Sequence, residues 1–155
     1  MNNGSTLRRE WFVIRDDASP VQIVGSAGVN VIYKSERSSG QYQYRIPYQL
    51  KSKESVTAVE VRMHVLDVFG RLLKTLSSTE VTDFSDIKGF EGIWRIWSEN
   101  EASGAFASVA YVAQVRTASG RVYEADRTAV FEQVRKVAKR ISEADLEPEK
   151  ETPVK

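Results

Sequence analysis

Cysteine is absent from the 155-residue chain. Its absence excludes disulfides, thiolate nucleophiles, iron–sulfur clusters and thiol-ligated zinc, and leaves the redox compartment open. Histidine occurs once, at His64. A Ser-His-Asp triad would have to use that imidazole, and a site with two or three histidines cannot form within one chain. Neither sign of charge dominates, with 22 Lys+Arg against 21 Asp+Glu, so a globally basic nucleic-acid binder is excluded. No apolar run approaches the ~18 residues of a membrane-spanning helix. Met1 to Arg9 lacks the apolar stretch of a signal peptide. The default expectation is therefore a cytoplasmic location, or the envelope or extracellular space if a leader has been trimmed.

What is present is an ordinary globular composition, 41% hydrophobic and 28% charged, which argues against wholesale disorder. At ~100–200 residues per domain the length indicates one domain. The dominant period is two. In residues 41–50, Tyr42, Tyr44, Ile46, Tyr48 and Leu50 share one face of a half-buried strand. Pro47 has no N–H for a ladder, which places it at an edge or a bulge. Residues 56–69 form a second strand, with Val59, Val61, Met63 and Val65 on one face and Glu60, Arg62 and His64 on the other. Residues 67–70 read as a hairpin turn in which Gly70 supplies a positive φ. A returning strand runs to about Val81, and residues 83–92 read as a long connection. Residues 11–14, 21–24, 29–33 and 93–97 supply further strands. Residues 16–20 form a turn, 25–28 a short hairpin loop and 35–40 a polar loop. A last hairpin, 105–117 with 121–125, closes around Ala118-Ser119-Gly120.

The period then changes. Val130, Val134, Val137 and Ile141 fall at spacings of four, three and four, and Phe131, Ala138 and Ala144 widen the stripe. This predicts an amphipathic helix over 127–146, with Asp126 as N-cap. A helix of this length needs a partner for its apolar stripe. Packing on its own sheet is favoured over zipping two chains, because fewer than three heptads are present and Phe131 is bulky and off the seam. The organisation expected is a flexible N-terminus (1–8), a β-sandwich (9–126), the helix packed on it (127–146) and a disordered tail (147–155).

The run Ala58-Val59-Glu60-Val61-Arg62-Met63-His64-Val65-Leu66-Asp67-Val68-Phe69-Gly70 resembles the alternating strand, Asp and Gly turn of immunoglobulin-like bacterial β-sandwich domains of the FxLYD type. The segment from Ala110 to Arg116, followed by Ser119-Gly120-Arg121-Val122-Tyr123, resembles their closing strands around a Gly turn. The likeness spans roughly residues 29–125 in order. It implies an all-β, immunoglobulin-like antiparallel β-sandwich, here extended by one C-terminal amphipathic α-helix. It brings over no catalytic residue.

His64 reads as a strand histidine rather than a general base, because no nucleophile or orienting group accompanies it. Asp16, Asp17, Asp83 and Asp86 offer oxygen ligands for calcium, but without EF-hand spacing, and turn chemistry accounts for them. Gly25 and Gly28 precede a strand, so they do not build a phosphate loop. Trp11, Trp94, Trp97, Tyr42, Tyr44 and Tyr48 offer either core or a stacking face for sugars. Trp94 and Trp97 point to opposite faces of their strand. Arg135, Lys136, Lys139 and Arg140 form a basic helix face, diluted by nearby acids. The expectation is thus a non-catalytic protein-interaction or structural module with no cofactor. Its contacts are expected at Trp94, Trp97, Tyr42, Tyr44, Pro47, Arg135 and Lys139, and at residues 35–40 and 83–92. The partner is an unknown protein or a second copy joined through an edge strand or the helix; nucleic acid is not expected. A carbohydrate-binding face of exposed aromatics is the alternative, and a carboxylate-based hydrolase with two acids across a pocket is a third reading.

Overall fold

The computed structural model describes residues 9–25, 29–36, 39–96 and 104–148. Seven strands are followed by helical turns: β1 (Glu10–Val13), β2 (Val21–Val24), β3 (Asn30–Glu36), β4 (Ser39–Leu66), β5 (Leu72–Ile96), β6 (Ala107–Thr117), β7 (Val122–Glu124), α1 (Arg127–Val137) and a 3-10 turn (Glu143–Leu146). All seven strands hydrogen-bond into one mixed sheet. The 28-residue β4 is its spine. β5 pairs along one side of it; on the other side β2 and β3 pair with the first half and β6 with the second. β1, parallel, and β7, antiparallel, both add to β6.

The sheet curls at the register shifts between Ser52 and Ala58. The Tyr48 hydroxyl, in the first half of β4, donates to Ser78 Oγ at 3.0 Å, and Ser78 pairs with Val61 in the second half. The main core fills the concave side, where Ile46 and Leu50 meet Val61 and Met63. The all-β class with a C-terminal helix is what the chain forms. In place of two separate antiparallel sheets there is one sheet curled back on itself, with one parallel pair.

Three segments differ from the expected pattern. β2 and β3, which flank residues 25–28, do not pair with each other as the expected hairpin would have them; residues 26–28 lie outside the described residues. β2 and β3 run in the same direction along the same side of β4, and the link between them holds two residues more than the ladder requires. Gly25, at φ +74°, admits this excursion. Pro47 sits where the ladder changes from β3 to β2, so its missing N–H falls at a break in the pairing. Residues 35, 36, 39 and 40 continue the β3–β4 ladder rather than forming a loop. Residues 83–92 belong to β5; their polarity reflects an edge strand with one solvated face, not a connection. Asp86, at φ +67°, occupies the left-handed region that Asp tolerates; it pairs with Ser52 at the bend. The turn at residues 67–70 forms as expected. Gly70 has φ +77°, and the Asp67 carboxylate accepts from the N–H groups of Phe69 (2.8 Å) and Arg71 (2.9 Å).

β6 is buried on both faces, as its nearly continuous apolar run requires. Its outer face meets α1 in a second core containing Leu66, Val109, Tyr111, Val130, Val134 and Ile141. The Asp126 carboxylate caps α1, accepting from Thr128 N–H (3.0 Å) and Ala129 N–H (3.3 Å). The helix ends at Val137, not at residue 146. A straight 20-residue helix would run ~30 Å, past the end of the Ala107–Ala113 stretch it covers, about 23 Å at strand rise. The chain turns back instead. The Asp145 carboxylate accepts from Ser142 N–H at 2.9 Å to start the 3-10 turn, and Ile141 and Leu146 return to the same apolar surface. Val130, Val134, Ala138 and Ile141 of the stripe are thereby buried within the chain, while Phe131 and Val137 are half-buried at its margin. No helix among the described residues is long and apolar enough to cross a membrane.

Candidate functional site

Two features stand out on the convex side of the sheet: an ionic cleft beside α1, and the free edge of β5. The cleft starts from one row of residues. Arg62 pairs with Ser77 on β5 and with Tyr111 on β6; Glu60, two residues earlier on the same face, pairs with Gln114. The Glu60 carboxylate accepts from Arg62 Nε (2.8 Å), Ser77 Oγ (2.7 Å) and Gln114 Nε2 (2.8 Å). Burial pushes this carboxyl up, but the hydrogen bonds and the guanidinium charge outweigh it and hold it below the usual range. Arg62 also lies 3.5 Å from the Glu147 carboxylate, which Arg127 approaches to 3.1 Å. Arg127 in turn pairs with Glu143 at 3.5 Å. A cleft of about 180 Å³ opens among these groups, lined by Arg62, Tyr111, Gln114, Glu124, Arg127 and Glu147.

Beneath the 3-10 turn lies His64, fully buried and stacked on Tyr111 at 5.7 Å. Thr75 Oγ1 donates to the Asp145 carbonyl at 2.6 Å. It therefore accepts from His64 Nδ1–H across 3.0 Å, because a hydroxyl has one proton to give. The Nδ1–H tautomer leaves Nε2 as an acceptor, and it has no partner among the described residues. Burial first, and the Arg62 charge second, push the imidazole down to about 4, against a small opposing pull from Asp145. His64 is thus a neutral link between β4, β5 and the 3-10 turn.

The residues singled out from the sequence are not brought together. Tyr44 and Trp94 are buried in the main core, and Tyr42 is half-buried against it, which removes them from any exposed platform. The Trp94 indole N–H points to the Ser77 carbonyl at 3.4 Å. These rings lie on the inner face because they share the parity of Ile46 and Leu50. Trp97 lies outside the described residues. Pro47 is exposed on the convex face. Arg135 and Lys139 are exposed, with Arg135 stacked over the Phe131 ring at 5.5 Å. Asp16 caps its turn through Ala18 N–H (2.9 Å) and accepts from the Tyr123 hydroxyl, while Asp83 and Asp86 lie on β5. Among the described residues no three His, Asp or Glu side chains gather as a metal site. Sequence reasoning missed the Glu60–Arg62 pairing; its signal was two opposite charges on one strand face at a spacing of two.

Among the described residues β5 pairs with β4 alone. Val81, Ile87 and Ile93 stand on its convex side, 81%, 55% and 51% exposed. Asp83, Asp86 and Glu91 make no ion pair with any described residue.

No protein-family model and no curated protein matches the chain. Among solved structures it is similar to a hypothetical protein from Peptoclostridium difficile 630, with a TM-score of 0.55 at 10% identity, covering 84% of this chain and 98% of that one. At this identity the likeness concerns the fold alone.

Proposed function

We propose that this chain is a non-catalytic protein-interaction module whose contact element is the free edge of β5. The observation that carries this reading is a 25-residue strand that, among the described residues, is hydrogen-bonded on one side only, with exposed β-branched side chains along it. Such an edge accepts an added strand through main-chain hydrogen bonds. The state of the cleft supports the non-catalytic part. Glu124 and Glu147 line one cleft, as a carboxylate hydrolase would need, but Glu147 lies between two guanidiniums. A catalytic acid instead needs apolar surroundings that keep it protonated. A sugar-stacking face is disfavoured because Trp94 and Tyr44 are core residues. The test is capture of a partner from native lysate on the immobilised protein. Val81→Lys with Ile87→Lys is expected to abolish capture, while Arg135→Glu with Lys139→Glu leaves it intact. The opposite pattern would move the contact to α1 and overturn the reading.

A further inference from the structure

We infer that the β5 edge pairs with β5 of a second copy, antiparallel, about a twofold axis through Phe84. The inference rests on the edge reading above and names the occupant. In such a pairing a residue n positions before Phe84 faces the residue n positions after it on the other copy. The exposed Val81 then faces Ile87, and Glu80 faces Lys88. Asp83 faces Ser85 and Asp86 faces Thr82, so each Asp carboxylate meets a hydroxyl; Glu91 faces Ser77, whose hydroxyl proton goes to Glu60. Every facing pair lies on the same side of the sheet, because both members have the same parity from Phe84.

Neighbouring registers lack this self-complementarity. An axis through Asp83 sets Asp83 against itself and Glu80 against Asp86. An axis through Ser85 sets Asp83 against Ile87. An axis through Asp86 sets two Asp86 side chains face to face. Like charges directly opposite destabilise an antiparallel pair, whereas opposite charges and β-branched pairs support it. The shape of the edge agrees with the pattern. Phe84 pairs with Val56, which lies between the two register shifts where the sheet bends. A twofold axis there carries one arm of the bent strand onto the other, so two curved edges can run together on both sides of it. The pairing is isologous and closes at a dimer.

Sedimentation equilibrium of the full chain, up to about 1 mM, tests this. The expected result is a monomer–dimer equilibrium. Glu80→Lys or Lys88→Glu alone should weaken it about tenfold, since each change damages two symmetry-related pairs. Glu80→Lys combined with Lys88→Glu should restore it, because both reversed pairs re-form. Thermal unfolding of each variant reports whether the fold is kept; Lys88 is exposed, while Glu80 is half-buried and accepts from Ser78 Oγ at 3.4 Å. A chain that stays monomeric throughout overturns the inference, while the capture experiment still decides the edge reading on its own. A dimer that the charge reversals leave unchanged, or that the double variant fails to rescue, overturns the register.

Discussion

The imidazole of His64 is buried with one nitrogen bonded to Thr75 and the other bare, and this sets an acid sensitivity. Its folded-state pKa is about 4, below the ~6.5 of an unfolded histidine. The unfolded chain therefore takes up the proton first. Stability is full above about pH 6.5 and falls as the pH drops toward 4, by up to about 3 kcal/mol. Urea midpoints at pH 7 and pH 4 should differ more for the wild type than for His64→Gln, which keeps a polar group of similar size and does not titrate. Gly92 is the second sensitive residue. A Cβ there would lie 2.1 Å from the buried Trp94 ring, so Gly92→Ala should destabilise by about 1–3 kcal/mol and shift tryptophan emission. Gly89, three positions earlier, where an added Cβ would meet nothing within 4 Å, should accept alanine within about 0.5 kcal/mol.

Between elements, the Glu60 carboxylate ties β4 to β5 and β6, while Arg62 and Arg127 tie the end of the helical segment to the sheet. Arg62→Met leaves a half-buried carboxylate without its cation. The expected loss is about 1–3 kcal/mol, read from thermal melts, with Glu60→Gln/Arg62→Met recovering part of it because the pair is then neutral. Much of this architecture was legible in residue order. The parity of Tyr44, Ile46, Tyr48 and Leu50 gave the inner face of β4, and the Asp67–Gly70 turn and the Asp126 cap formed as expected. What parity could not give was strand identity. Residues 83–92 are polar because one face is wet and one edge is free, and a composition rule reads that as a loop. The helix stripe continued to residue 146 in projection, whereas Ser142 and Asp145, a capping pair, start a new turn. The cleft was illegible because its members come from β4, β6, β7, α1 and the segment after it.

Across the whole molecule, α1 is a structural layer. Ending the chain at Asp126 removes Val130, Val134, Ala138, Ile141 and Leu146 from the second core and bares the outer face of β6. Each buried aliphatic side chain larger than alanine contributes about 1.5–3 kcal/mol, so their joint loss rivals the ~5–15 kcal/mol stability of an ordinary domain. The truncated chain should lose its cooperative melt or appear in inclusion bodies. A soluble product with an unchanged melting temperature would show that the layer is dispensable. The parallel pairing of Glu10 with Ala107 has a further consequence during vectorial synthesis. At ~5–20 residues per second a ribosome needs roughly 5–20 s to make the chain between them. β1 must wait that long for the strand it docks on. Trp11 and Phe12 spend this interval without their native neighbours, so ribosome-associated holdases should crosslink to the nascent chain around these residues until β6 has emerged.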